Sequence, residues 1–413
     1  MPLDPQTPAG ATINLAVTVR RANPTRWTSP ILALLGPLTA VNWADPSILA
    51  DGLVGHDLIA IDARGLGRSD GTADCPKLKG YTAELNTLNL QPDAVAAVKA
   101  CLAKAATTPV PLSSVLDHGV VAADIVRIRR ALGIETWGLY TTLGSADVAL
   151  HLLAVDAPAV TAVIARDPFA VGAAQSPNSV AEAFDRLAAD CAAAPDCARN
   201  GDLRQGLAAL VARPPVATGV KERTTGWPIV LDGLAAQFGL TYAMREPTLA
   251  GVVPTIVTAP AAPAADDATA RLFDTLPASG DAVLISLFCQ DLGYMSPALV
   301  GAADDHGAAF RGMSAKRLCD LIGPVPQMTA PPKVAGTVPV LVVLSSYDTR
   351  SSETIARSVF GGFTHLVIVT AQGQPNAMVN RACFLETTAA FADAPTSPVD
   401  TTCLTKPDHV TFT

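Results

Sequence analysis

The stretch "ETWGLYTTLGSADVAL", Glu135 to Leu150, sets a strand-like run (Thr136 to Tyr140) directly against a helix-like run from Gly144. A sharp strand-to-helix turn is where many acyl-transfer enzymes hold their attacking group, because the turn lifts one side chain clear of the sheet. The spacing Gly138-Leu139-Tyr140-Thr141-Thr142 offers a phenol there. A phenol has a pKa of about 10 and is seldom ionised at neutral pH. Its oxygen also lies a full ring farther from the backbone than that of a serine. Tyr140 is therefore either a hydrogen-bond or proton donor, or a space-filling aromatic. Thr141 and Ser145 are the nearest aliphatic hydroxyls. Thr142 stands where such a turn favours glycine.

Asp348, in "SSYDTRSS", either caps a helix starting near Ser351 or meets a substrate. Six histidines are scattered. His56 precedes a strand, His306 lies in a loop, His365 begins the last strand and His409 lies in the tail. His151 follows the Tyr140 strand. His118 starts the helix before that strand and reads as a surface residue or a substrate contact. No histidine or cysteine spacing makes a zinc set, and "GLGRSDG" lacks the spacing of a dinucleotide loop. No metal and no cofactor are expected.

The elements that must position these groups alternate. "ATINLAVTVRR" (Ala11 to Arg21) alternates like an antiparallel edge strand. "PILALLG" (Pro30 to Gly36) and "DLIAID" (Asp57 to Asp62) are short apolar runs suited to buried parallel strands. "VVAADIVRIRRALG" is an amphipathic helix closed by Gly133. A helix around Ala146 to Ala154 separates "TWGLY" from the strand "AVTAVIA" (Ala159 to Ala165). Strands return at "VPVLVVLS" (Val338 to Ser345) and "HLVIVT" (His365 to Thr370), followed by a helix over Met378 to Phe391. This predicts an α/β fold, a mostly parallel sheet flanked by helices. A helical insertion, residues 171–333, separates a first core part (1–170) from a last one (334–413).

The chain has 413 residues, 49% hydrophobic and 16% charged, enough for a large core. A net charge of -8 without basic runs argues against nucleic acid as a partner. No apolar run approaches the roughly 18 residues of a membrane span. The sequence leaves the oligomeric state open. No signal peptide is visible after Met1. The eight cysteines are an even number, open to free thiols or disulfides.

The order of these segments, with "DLIAIDARGLGRSD", "DCAAAPDC", "LFCQDLGY", "PVLVVLSSYDTRSS" and "ACFLETTAAFADAPTSPVDTTC", resembles the tripeptidyl aminopeptidase-like branch of the α/β-hydrolases. The resemblance spans nearly the whole chain and implies an α/β-hydrolase fold with an inserted helical cap. It pairs Cys75 with Cys101, Cys191 with Cys197, Cys289 with Cys319, and Cys383 with Cys403. Such bonds form in oxidising compartments, so an extracytoplasmic or secreted setting is favoured. The resemblance also places Tyr140 at the nucleophile position and Asp348 at the acid position. Gln374 replaces the histidine, and glutamine is no base at neutral pH. Leu38 stands in the oxyanion loop, where its amide and that of Thr141 would converge. Asp291, in the cap, could hold a substrate amine.

With nucleophile and histidine replaced, serine hydrolysis is not expected. The expectation is a non-hydrolytic enzyme on a mostly apolar small molecule, by cyclisation, isomerisation or elimination, as in specialised-metabolite biosynthesis. Tyr140, Asp348 and Gln374 would act, and Leu38, Thr141, Thr142, His118 and Asp291 would bind. The alternatives are a pseudo-hydrolase that only binds a small molecule or peptide, and a residual hydrolase with a displaced nucleophile.

Overall fold

The computed structural model describes residues 1–4, 7, 9–22, 29–35, 53, 55–71, 92–110, 114–115, 117–170, 178–212, 214, 216–221, 228–231, 240, 243–246, 249–258, 330–375, 381–407 and 410–412. Leu38, Asp291, Cys75, Cys289 and Cys319 lie outside them.

The predicted strands form one sheet. Its members are β1 (Val17–Arg20), β2 (Ile31–Leu34), β3 (Leu58–Ile61), β4 (Trp137–Thr142), β5 (Val160–Arg166), β8 (Val340–Ser345) and β9 (Leu366–Ala371). They lie in the order β1-β3-β2-β4-β5-β8-β9. The β1–β3 pairing is antiparallel and the other pairings are parallel. β1 is the expected antiparallel edge strand, shorter than its alternating sequence. Every residue of β8 is buried, as its unbroken apolar run requires for a strand covered on both faces.

Helices cover the two faces. One face packs against α2 (His118–Ala131), α3 (Ala146–Asp156) and α7 (Glu353–Phe360), around Leu32, Trp137, Leu139, Val163 and Val342. The other packs against α8 (Arg381–Asp393), around Ala33, Tyr140, Ile164, Leu341 and Phe384. Helix α1 (Pro92–Ala106) precedes α2. Asp117 starts α2 by accepting hydrogen bonds from the Gly119 and Val120 amides (2.9 and 3.2 Å). Gly133, at φ +69°, follows its end as the sequence predicts.

Between β5 and β8 lie α4 (Asn178–Ala193), α5 (Leu203–Ala212) and α6 (Val253–Thr258). They share a second core with Phe184, Leu187, Leu210 and Ile256. A two-stranded antiparallel ribbon, β6 (Val216–Lys221) with β7 (Pro228–Leu231), joins helices in this mostly helical insertion. Tyr347, from the loop after β8, inserts into this second core. Its hydroxyl donates to Asp190 of α4 (2.5 Å), and Arg186 Nε donates to the Ser346 carbonyl (2.6 Å). These contacts lay α4 over the end of β8.

Two expected disulfides are closed, Cys191–Cys197 and Cys383–Cys403. Cys101 is disulfide-bonded as well. No helix among the described residues is long and apolar enough to cross a membrane.

The turn after β3 anchors α2 to the sheet. Arg64 is fully buried and meets Asp124 of α2 through two contacts, Nε to Oδ2 at 2.8 Å and Nη2 to Oδ1 at 2.9 Å. It also donates to the Leu3 carbonyl at 2.7 Å. Removing one partner of a buried pair strands the other charge, at a cost of about 3–5 kcal/mol. Asp124→Ala is therefore expected to lose about that much stability in urea denaturation. A loss under about 1 kcal/mol would show that the pair does not anchor α2.

Candidate active site at the carboxyl edge

Strand order reverses between β2 and β4. Chain entering β2 continues outward to β3, then returns to β4 on the other side. In open parallel sheets such a reversal opens a crevice beyond the carboxyl ends of the strands, where ligands bind. The ends of β4, β5, β8 and β9 define this edge.

β4 does not end at Tyr140. It continues through Thr141 and Thr142, both β-branched and both paired to β5, at Ala165 and Arg166. The turn comes next. Leu143 has φ +55°, the left-handed region that a leucine seldom enters. A short 3-10 turn, Leu143–Ser145, then leads into α3. The tip of the turn is Leu143, three residues beyond the position expected from spacing. Gly144 follows it, and a Cβ there would come within 3.2 Å of the Phe169 ring. Ser145 is not at the tip. Its hydroxyl is shared between the Leu34 and Thr142 carbonyls (2.9 and 2.5 Å), tying the turn to the end of β2.

Tyr140 thus sits within the sheet. Its ring packs in the core beneath α8 and is 1% exposed. Burial pushes its phenol above the usual range; the Arg166 charge opposes this and the Asp167 charge adds to it. Thr141 is fully buried, and its hydroxyl has no hydrogen-bond partner.

The carboxylates lie on adjacent strand ends. Asp348, after β8, accepts at Oδ1 from the Arg350 and Ser351 amides (2.7 and 3.1 Å) and meets Arg350 Nη2 at 3.1 Å through Oδ2. It organizes the turn before α7, whereas the cap of that helix is Ser352. Burial would raise Asp348, but the Arg350 and Arg245 guanidiniums outweigh it and hold this carboxyl below the usual range. Asp167, directly after β5, is buried, has φ +46°, and accepts from the Ser345 amide and hydroxyl (2.6 and 2.8 Å). Burial, reinforced by the negative charge of Asp348, pushes Asp167 up to about 7. Asp167 was missed in the sequence; its signal is the "ARDP" that closes a parallel strand.

Gln374 follows β9 and is buried. Its backbone amide donates to Ser346 Oγ (3.0 Å), and its backbone carbonyl accepts from the Tyr347 amide (3.1 Å). Gln374 and Asp348 are therefore on two loops stapled together. His118 does not join them. It is 2% exposed, not a surface residue, with Nδ1 3.5 Å from Asp147 of α3 and its ring edge-on to His151. It lies between α2 and α3, behind the turn. No three His, Cys, Asp or Glu side chains among the described residues form a metal-binding group.

No family model and no curated protein matches the chain. Solved structures similar to it include MGS-M2, an α/β hydrolase from a Medee basin deep-sea metagenome library, 9% identical over 94% of this chain and 96% of that one, TM-score 0.41. The serine hydrolase CCSP0084 from Cycloclasticus zankles is 13% identical over 94% and 96%, TM-score 0.44. The esterase RhEst1 from Rhodococcus sp. ECU1013 is 13% identical over 92% and 95%, TM-score 0.42. At such identities and scores these likenesses carry nothing about activity. The sheet itself, with its one antiparallel edge strand, its reversal between β2 and β4 and helices on both faces, is that of the α/β-hydrolase fold.

A carboxyl raised by folding, here from 3.8 to about 7, gives stability that is complete below its unfolded value and lost as pH rises through the folded one. Asp167→Asn removes that loss. In denaturation series run at successive pH values, the variant should gain on the wild type from about pH 4 to about pH 7. A constant difference across that range would place the Asp167 pKa near its ordinary value.

Proposed function

We propose that this chain is a non-hydrolytic enzyme that acts on a mostly apolar small molecule at the carboxyl edge, between the sheet and segment 171–333, which serves as its cap. The observation that carries this reading is Leu143 at the tip of the strand-to-helix turn, in the left-handed conformation that presents a nucleophile in a hydrolase. A hydrocarbon there cannot attack a carbonyl. Backbone strain at a functional position usually persists because the position is used. Here it would hold an apolar side chain against the ligand.

Several groups on the strand ends suit proton movement. Tyr140 stays protonated and can donate. Asp167 and Asp348 form a carboxyl pair whose members are pushed apart in acidity, one upward and one downward. Such separation lets one group give a proton while its neighbour remains charged. Gln374, Thr141 and Thr142 add polar contacts. Cyclisation, isomerisation and elimination need confinement and proton transfer, without a covalent intermediate. The closed disulfides favour an oxidising compartment.

A binding role without chemistry is the second reading. It draws support from Asp348, whose two oxygens already accept hydrogen bonds from its own turn. Tyr140→Phe separates the two readings, since turnover should fall under the first while ligand binding persists under both.

A fluorophosphonate probe should leave the wild type unlabelled. Stoichiometric labelling of any serine would sink the non-hydrolytic reading. Leu143→Ser alone should hydrolyse p-nitrophenyl butyrate near background, because it supplies a hydroxyl and no base. Adding Gln374→His should raise the rate by about 100-fold or more, the usual contribution of a general base. No gain from the added histidine would show that Gln374 does not face the turn.

A further inference from the structure

Arg350, at the same edge, carries a donor that the fold leaves unmet. Its Nη2 meets Asp348 at 3.1 Å, and its guanidinium carbon lies 5.8 Å from the centre of the Phe169 ring. Its Nε–H is buried and has no hydrogen-bond partner. An unmet donor on a cation is costly away from water and is relieved by an anion. The stacking fixes where that donor sits. Phe169 packs over Gly144 and donates its amide to the Leu143 carbonyl (3.3 Å), so Arg350 is held beside the turn.

Two further guanidiniums stand at this edge, against the carboxyls of Asp348 and Asp167. Arg245 acts on Asp348, and Arg166 acts on Asp167 and on the Tyr140 phenol. Helix α3 begins directly after the turn, and its N-terminus adds a positive partial charge near Leu143. Arg166, Arg245 and Arg350 thus outnumber Asp167 and Asp348 here, in a chain whose net charge is -8. Leu143 and Phe169 are apolar.

We propose that the molecule held at this edge is an apolar carboxylic acid, whose carboxylate is received by Arg350 and whose hydrocarbon part lies against Leu143 and Phe169. This rests on the small-molecule reading above and adds the charge of the substrate to it. A planar guanidinium matches a carboxylate, and the apolar Leu143 and Phe169 beside it match a hydrocarbon chain. Arg166 and Arg245 supply field and favour the charged form of the guest. No bond of the guest is made or broken by this contact. It orients the molecule beneath the cap.

The test is calorimetric titration with 4-phenylbutyrate and its neutral isostere 4-phenylbutyramide. The wild type should bind the carboxylate at least about tenfold tighter than the amide, as a charge-assisted contact requires. Arg350→Gln should abolish that margin and leave the affinity for the amide unchanged. Arg350→Lys keeps the charge beside Asp348 and deletes the buried Nε–H, so it covers the case in which Arg350→Gln fails to fold. It should cut the margin at least about threefold. Equal affinity of the wild type for both probes would overturn the carboxylate inference and leave the apolar-guest reading intact. A full margin in Arg350→Lys would overturn the assignment to Arg350. Binding of neither probe would count against both the inference and the reading beneath it.

Discussion

One hydroxyl holds the carboxyl edge together. Ser145 Oγ has a single proton and two carbonyls within reach, Leu34 at the end of β2 and Thr142 at the end of β4. These two strands flank the point where strand order reverses. A polar group buried there must be satisfied locally. By meeting both strands, Ser145 fixes where β4 stops, where α3 starts and how far the turn between them must bend. Leu143 absorbs that bend in a left-handed conformation. Phe169 then packs over Gly144, and Arg350 lies over Phe169. The site is thus assembled outward from one satisfied hydrogen-bonding group.

Around this turn the chain concentrates charge that a hydrophobic core would normally exclude. Asp167 and Asp348 are both buried, and they differ because their partners differ. Two guanidiniums act on Asp348, whereas Asp167 leans on the amide and hydroxyl of Ser345 and feels the charge of Asp348. Buried charges of this kind are expensive and do little for stability unless paired well. They persist at the end of the sheet where a ligand would lie. Elsewhere the buried ion pair Arg64–Asp124 has the opposite character, with each oxygen matched to a nitrogen and a helix anchored by it.

The strands were legible because parallel strands covered on both faces must be apolar throughout, and "PILALLG", "DLIAID" and "VPVLVVLS" are. The cap of α2 at Asp117 and its stop at Gly133 follow from local chemistry. The turn was read at the wrong residue because motif spacing assumes that the strand ends at its last large apolar side chain. Thr141 and Thr142 are polar enough to look like a turn, yet β-branched enough to stay in the sheet when β5 offers them partners. The ribbon β6–β7 was missed for a related reason, since short strands in an alanine-rich segment carry little periodicity.

The sequence by itself determined the alternation of strands and helices and the cysteines that close two observed bridges. These depend on side-chain type and local order, which a single chain displays. Only the tertiary structure decided that Leu143 holds the tip, that His118 is buried behind it, and that Asp167 stands beside Asp348. Strand ends from positions 142, 166 and 345 meet because the sheet places them side by side. No local pattern records which distant residue will lie there, and the left-handed bend at Leu143 depends on the neighbours that enforce it.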